Sequence, residues 1–169
     1  INSPKSELLY KIDEGRHYQI RNILVTGIAD SDLQELIVRI PLSKGQSASY
    51  RFISMGSEAI KSYFGNRGFI NISVNISYET DPAKGIVDIE YQVKEGKKAQ
   101  IGNISINGNK QTLDEVIRRE LVFLPGEDYN KSRITASENR LRNLNYFEMV
   151  NINTESKSND QFYDVNIRV

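Results

Sequence analysis

Asn22-Ile-Leu-Val-Thr-Gly27 recurs downstream as Asn103-Ile-Ser-Ile-Asn-Gly108. Tyr10-Lys-Ile-Asp-Glu-Gly15 recurs as Tyr91-Gln-Val-Lys-Glu-Gly96 with the same offset in numbering. Later landmarks drift to a slightly shorter offset, since Val87-Asp-Ile-Glu-Tyr91 answers Val165-Asn-Ile-Arg-Val169. A near-constant period with a small deletion marks two tandem copies of one small domain. Arrays of this kind present surfaces more often than a single catalytic cleft.

Each copy reads as strand, helix, helix, strand, strand. Tyr18 to Thr26 is rich in β-branched and aliphatic residues and stops at Gly27. Leu33, Leu36, Ile37 and Ile40 then fall at i, i+3, i+4, i+7, one apolar helical face behind Asp30-Ser-Asp32. A second helical face follows in Phe52, Ile53, Ala59, Ile60, Tyr63 and Phe64, closed by Gly65 and Gly68. From Ile70 to Tyr78 the period becomes two, and Val87, Ile89, Tyr91 and Val93 alternate on a partner strand. The second copy repeats the order. Thr112 and Glu115 have the spacing of a capping box, and Ile134, Leu141 and Leu144 mark its second helix. The fold class is therefore α+β, two β-α-α-β-β units, each a three-stranded sheet with two helices on one face. Residues 1–14 read as the remnant of a preceding repeat, 15–95 as the first domain and 96–169 as the second. The junction near Lys94 to Lys98 contains Gly96, from which some hinge motion is expected.

Lys+Arg and Asp+Glu are 22 each, so the formal net charge is zero and no basic stripe for nucleic acid emerges. Without cysteine there are no disulfides or thiolate metal sites, and with His17 as the single histidine no catalytic triad or multi-histidine centre can be assembled. No catalytic residue, metal site or cofactor is indicated. Asp30, Asp32 and Glu35 suit a helix's first turn, and Gly65-Asn-Arg-Gly68 suits a helix terminator.

Ile101-Gly-Asn-Ile-Ser-Ile-Asn-Gly-Asn109, Val116-Ile-Arg-Arg-Glu-Leu121, Leu124-Pro-Gly126 and Arg140-Leu-Arg-Asn-Leu-Asn-Tyr-Phe147 resemble the POTRA domains that precede the outer-membrane barrel in the BamA family. The resemblance runs from Gly15 onward, and Leu8 to Glu14 resembles the last strand of a preceding POTRA domain. The order best resembles the two barrel-proximal copies of a five-domain array. Pro125 departs from the family, whose second copy often has an acidic residue there.

The resemblance implies a non-enzymatic periplasmic module, at the outer membrane, continuous with a β-barrel. Its partners would be nascent outer-membrane proteins and accessory assembly lipoproteins. A TamA-like or two-partner secretion translocator, or a division scaffold, is the alternative. Arg118, Arg119 and Glu120 match a family motif, which implies a partner-binding surface. The resemblance also implies that the second strand of each unit lies at a sheet edge. In the first copy that strand is Ile70, Asn71, Ile72, Ser73, Val74, Asn75, Ile76, Ser77 and Tyr78, with no charge. Natural edges are normally blunted by Lys, Pro or bulges, so this one is expected to accept an extended peptide by β-augmentation. The matching strand, Phe147 to Glu155, carries Glu148 and Glu155 and should accept less well.

Overall fold

The computed structural model describes Tyr10, residues 16–156 and residues 161–169. The expected remnant at 1–14 lies outside the described residues apart from Tyr10. The first repeat runs β1 (Gln19–Thr26), α1 (Asp30–Ile37), α2 (Tyr50–Gly65), β2 (Phe69–Ile70), β3 (Ser73–Asp81) and β4 (Ile86–Lys94). The second follows β5 (Lys97–Lys98) with β6 (Gln100–Asn107), α3 (Asp114–Glu120), α4 (Lys131–Asn143), β7 (Asn151–Ser156) and β8 (Phe162–Arg168). Two three-stranded sheets result, ordered β1-β4-β3 and β6-β8-β7, with a short β2-β5 ladder at the joint. Among the described residues, neither three-stranded sheet takes a strand from both repeats. The last strand of each copy is central, parallel to the first and antiparallel to the second.

The central strand β4 explains the first core. Val87, Ile89, Tyr91 and Val93 point to one face and are buried there with Ile53, Ile60 and Phe64 of α2 and Leu36 of α1. The Tyr91 hydroxyl donates to the Ile53 carbonyl at 2.9 Å. Gly56 makes room for it, because a Cβ there would lie 2.4 Å from that oxygen. In the second repeat the helix position that answers Gly56 is Ser137, which is fully buried. Its hydroxyl donates to Arg133 O and accepts from Val122 N, both at 2.9 Å. The surrounding core is Ile101, Ile117, Ile134, Leu141, Val165 and Ile167.

The central strands align differently from the sequence landmarks, with Ile89 and not Val87 answering Val165. Ile23 pairs with Ile89 where Ile104 pairs with Val165, and Thr26 with Gln92 where Asn107 pairs with Arg168. Two glycines mark the same equivalence. A Cβ on Gly27 would lie 2.0 Å from the Val93 carbonyl oxygen, and one on Gly108 would lie 1.9 Å from that of Val169. A slip of two positions leaves every inward residue inward, because the side-chain period of a strand is two. The alternation alone therefore could not show it.

Three other local expectations change. The expected strand from Ile70 to Tyr78 is broken. Asn71 has φ 59, so Ile70 turns away to pair with Lys97 while the sheet strand begins at Ser73. Ile70, Asn71 and Ile72 are thus not part of the edge ladder. In the second copy Phe147 to Val150 likewise precede the strand. No capping box forms at Thr112 and Glu115: α3 begins at Asp114, and Asn109 Nδ2 instead donates to Thr112 O and Asp114 Oδ1 at 3.0 and 2.6 Å. Gly96 is there for close approach, since a Cβ would meet the Ile70 carbonyl oxygen at 1.5 Å. It lets β2 and β5 touch.

The joint is built on the loop that ends α2. Gly68 O accepts from Ala99 N at 2.9 Å. Asn66 O accepts from Asn130 Nδ2 at 3.1 Å, and Asn66 Oδ1 accepts from Ser132 N at 2.9 Å. Asn71 Nδ2 donates to the Tyr163 hydroxyl at 3.1 Å, and Lys131 Nζ pairs with Glu58 Oε2 at 3.2 Å. Ile70, Ala99 and Tyr163 form a small apolar cluster beneath these bonds, with Tyr129 against it.

Candidate partner-binding edges

The β3 strand is the outer strand of its sheet, opposite β1. Its main-chain orientation follows from the neighbouring ladder. The Val93 carbonyl points at Gly27, toward β1, so Val93 and its opposite residue Val74 form a non-hydrogen-bonded pair. Val74, Ile76 and Tyr78 therefore turn their N–H and C=O groups to the open edge. Ser73, Asn75 and Ser77 turn theirs to β4.

The side chains divide by face. Val74 and Ile76 pack against the core, Tyr78 is 50% exposed, and Ser73, Asn75 and Ser77 are exposed on the open face. On that face two carboxylates of β4 are satisfied. Asp88 takes Arg21 Nε at 2.9 Å and Asn22 Nδ2 at 3.0 Å, and the Arg21 hydrogen bond holds its pKa below the usual range. Glu90 accepts from Gln92, Thr26 and Ser77 at 3.2, 3.1 and 3.1 Å. These bonds, that from Gln92 foremost, lower its pKa too.

Arg118, Arg119 and Glu120 close α3, but they do different things. Arg118 Nη2 donates to the Ile104 carbonyl at 3.1 Å, bracing α3 against β6. Arg119 is exposed and Glu120 half-buried. Of the three, Arg118 carries a side-chain bond that braces the fold. His17 is exposed. Asp32 and Glu35 of the acidic group on α1 serve the fold. The Tyr63 hydroxyl donates to Asp32 Oδ1 at 2.7 Å and to Glu35 Oε2 at 3.2 Å, while the Arg67 guanidinium lies 3.6 Å over the Tyr63 ring and pairs with Glu35. Burial, with Asp32, pushes the Tyr63 pKa up to about 12, so the phenol stays a donor. Among the described residues no group of three His, Cys, Asp or Glu side chains is placed to hold a metal, and no helix is long and apolar enough to cross a membrane.

A family model described as POTRA, surface antigen variable number repeat, matches residues 18–96 and 99–169. The chain belongs to the POTRA family. It carries two tandem POTRA repeats. It is similar to the outer membrane protein assembly factor BamA of Neorickettsia risticii, with 29% identity over 163 residues, 96% of this chain and 22% of that protein. The chain thus spans about a fifth of the length of the curated relatives it matches. Among solved structures, POTRA domains 3–5 of Haemophilus influenzae BamA superpose with TM-score 0.81 at 23% identity, covering 90% of this chain and 61% of that one. BamA of Haemophilus ducreyi lacking POTRA domains 1–3 gives 0.74 at 24%, covering 89% and 29%. At these identities the likeness speaks to the fold.

The sequence did not point to Asn66 or Ser137. Asn66 sits within the expected helix terminator, and nothing local signals that its amide meets the start of a helix in the other repeat. A serine between helical charges reads as solvated, yet its place one repeat on from Gly56 was a usable sign that position 137 faces the core.

Proposed function

We propose that these POTRA repeats form the periplasmic, non-enzymatic part of a BamA-like outer-membrane assembly factor, continuous with a β-barrel. They bind nascent outer-membrane proteins by adding a strand to β3, and dock an accessory lipoprotein on the second repeat through Arg119 and Glu120. The observation that carries this reading is the edge from Ser73 to Tyr78: uncharged, outermost in its sheet, with the main chains of Val74, Ile76 and Tyr78 turned outward. Each ladder hydrogen bond contributes roughly 0.5–1.5 kcal/mol net, against an association cost on the order of 4–15 kcal/mol. Binding is therefore weak, brief and tolerant of sequence, which suits the handling of unfolded β-rich chains. Kinship with assembly factors of that name supports the cellular setting.

The test is a titration of the isotope-labelled chain with peptides copied from outer-membrane strands. Amide shifts should concentrate on residues 73–81 with affinity near millimolar. Tyr78→Pro, which removes an outward N–H from a half-exposed position, should weaken them. Pro at Ser73 or Asn75 would instead cut the ladder to β4. Shifts elsewhere, or full binding by a folded Tyr78→Pro, would refute the edge.

A further inference from the structure

Each repeat has a second edge, the first strand, and the two copies treat it differently. In the second repeat Asn107 O accepts from Val169 N at 3.0 Å, so the Asn107 main chain faces inward to the central strand. Strand alternation then turns the Ile104 carbonyl outward, where Arg118 donates to it. The first repeat has the same register. The spacing that takes Leu36 to Ile117, both fully buried, takes Ile23 to Ile104 and Ile37 to Arg118. Ile37 has no donor to offer. The outward main chains of Ile23 and Val25 therefore have no guanidinium across their edge in the place of Arg118.

Upstream, this edge already carries an extended segment of the same chain. Ile20 N donates to Gln46 O, Gly45 N to Ile20 O and Ala48 N to Tyr18 O, at 2.9, 2.7 and 2.8 Å. The antiparallel bridge between Gln19 and Ser47 belongs to the same pairing. Beyond it, apolar side chains stand exposed on both sides of the strand: Leu24 (54%) on the open sheet face, and Ile37 (44%) and Val38 (83%) at the end of α1. The open sheet face beside Leu24 is a concavity of about 550 Å³ that runs over Asp88 and Glu90 of β4 to Ser77 and Tyr78 of β3, so it is shared by both edges of the sheet. Main-chain groups along an edge, with apolar contacts above and below, fit an extended segment whose apolar side chains reach either face.

We propose that β1 of the first repeat, from Asn22 to Thr26, is a second strand-acceptor site for extended, uncharged, apolar-rich segments, and that Arg118 closes the equivalent edge of the second repeat. This goes beyond the β3 reading, and neither site requires the other. The probe is a short synthetic peptide of alternating valine and threonine, titrated into the labelled chain. The amides of Ile23 and Val25 should shift. Ile37→Arg, which installs the donor of the second repeat, should weaken that response about tenfold and leave shifts along β3 unchanged. Ile37→Gln, which supplies a neutral donor, gives the same reading if the arginine variant fails to fold. Shifts confined to residues 73–81 would overturn this site and keep β3. So would β1 shifts that both variants leave intact. Shifts confined to β1 would overturn β3 alone.

Discussion

Asn66 and Asn130 clasp each other across the joint. The Asn66 carbonyl accepts from the Asn130 amide, and the Asn66 side chain accepts from Ser132 N in the first turn of α4. Asn130 is itself the N-cap of α4, accepting from Arg133 N at 3.1 Å. The end of α2 and the start of α4 thus satisfy one another's unpaired backbone groups.

Replacing Asn66 with Ala removes an acceptor for Ser132 N while leaving both cores intact. The expected cost is about 1 kcal/mol, the scale of a lost cap, with a wider spread of angles between repeats. Residual dipolar couplings measured on each repeat would show the spread, and an unchanged alignment tensor would contradict it.

Gly96→Ala should be far more damaging. Its Cβ would collide with the Ile70 carbonyl oxygen, so β2 and β5 must separate and the Ile70–Ala99–Tyr163 cluster must open. Urea denaturation is expected to show a first transition in which the repeats uncouple. Gly45→Ala, where nothing lies within 4 Å but φ is +80, should carry only backbone strain of order 1 kcal/mol.

Ser137→Ala leaves Val122 N–H without its side-chain acceptor inside the second core. A loss of roughly 1–3 kcal/mol is expected, visible as a lower denaturation midpoint with the slope unchanged.

Arg118→Ala and Arg119→Ala should separate stability from binding. The first loses the hydrogen bond to Ile104 O and should destabilise by about 1.5–3 kcal/mol. The second should stay within about 0.5 kcal/mol yet reduce capture of an accessory lipoprotein. Equal stability of the two variants would remove the bracing role of Arg118.

Acid should loosen the joint. The Glu58 carboxyl is held low first by its hydrogen bond from Lys61, then by Lys131 across the joint. A carboxylate whose pKa is lower in the folded state contributes stability that is full above its unfolded pKa and fades as pH falls through the folded one. The coupling between repeats should therefore weaken below the usual glutamate range, about 4. Glu58→Gln should remove that dependence in chemical shifts of Lys131.

What was legible in the sequence follows the range of the interaction. Ile53, Ile60, Val87 and Val93 declare the core because their spacing carries the period of a helix or strand, and the recurrence of Asn22–Gly27 at Asn103–Gly108 declares the second copy. Ser137 was masked by polar neighbours. The break at Asn71 arises from a partner strand at Lys97, and the Arg118 contact from a bulged strand in the sheet beside it. Such choices are made by tertiary neighbours, so a local pattern cannot contain them.

The Asn66 clasp also bears on modular exchange. A repeat transplanted from another array would bring its own helix end to this joint. Unless it carried a side-chain acceptor matched to Ser132 N, the graft would lose this clasp and hold its neighbour over a wider range of angles. The unit that recombination can move intact is then the pair with its seam, not the single repeat.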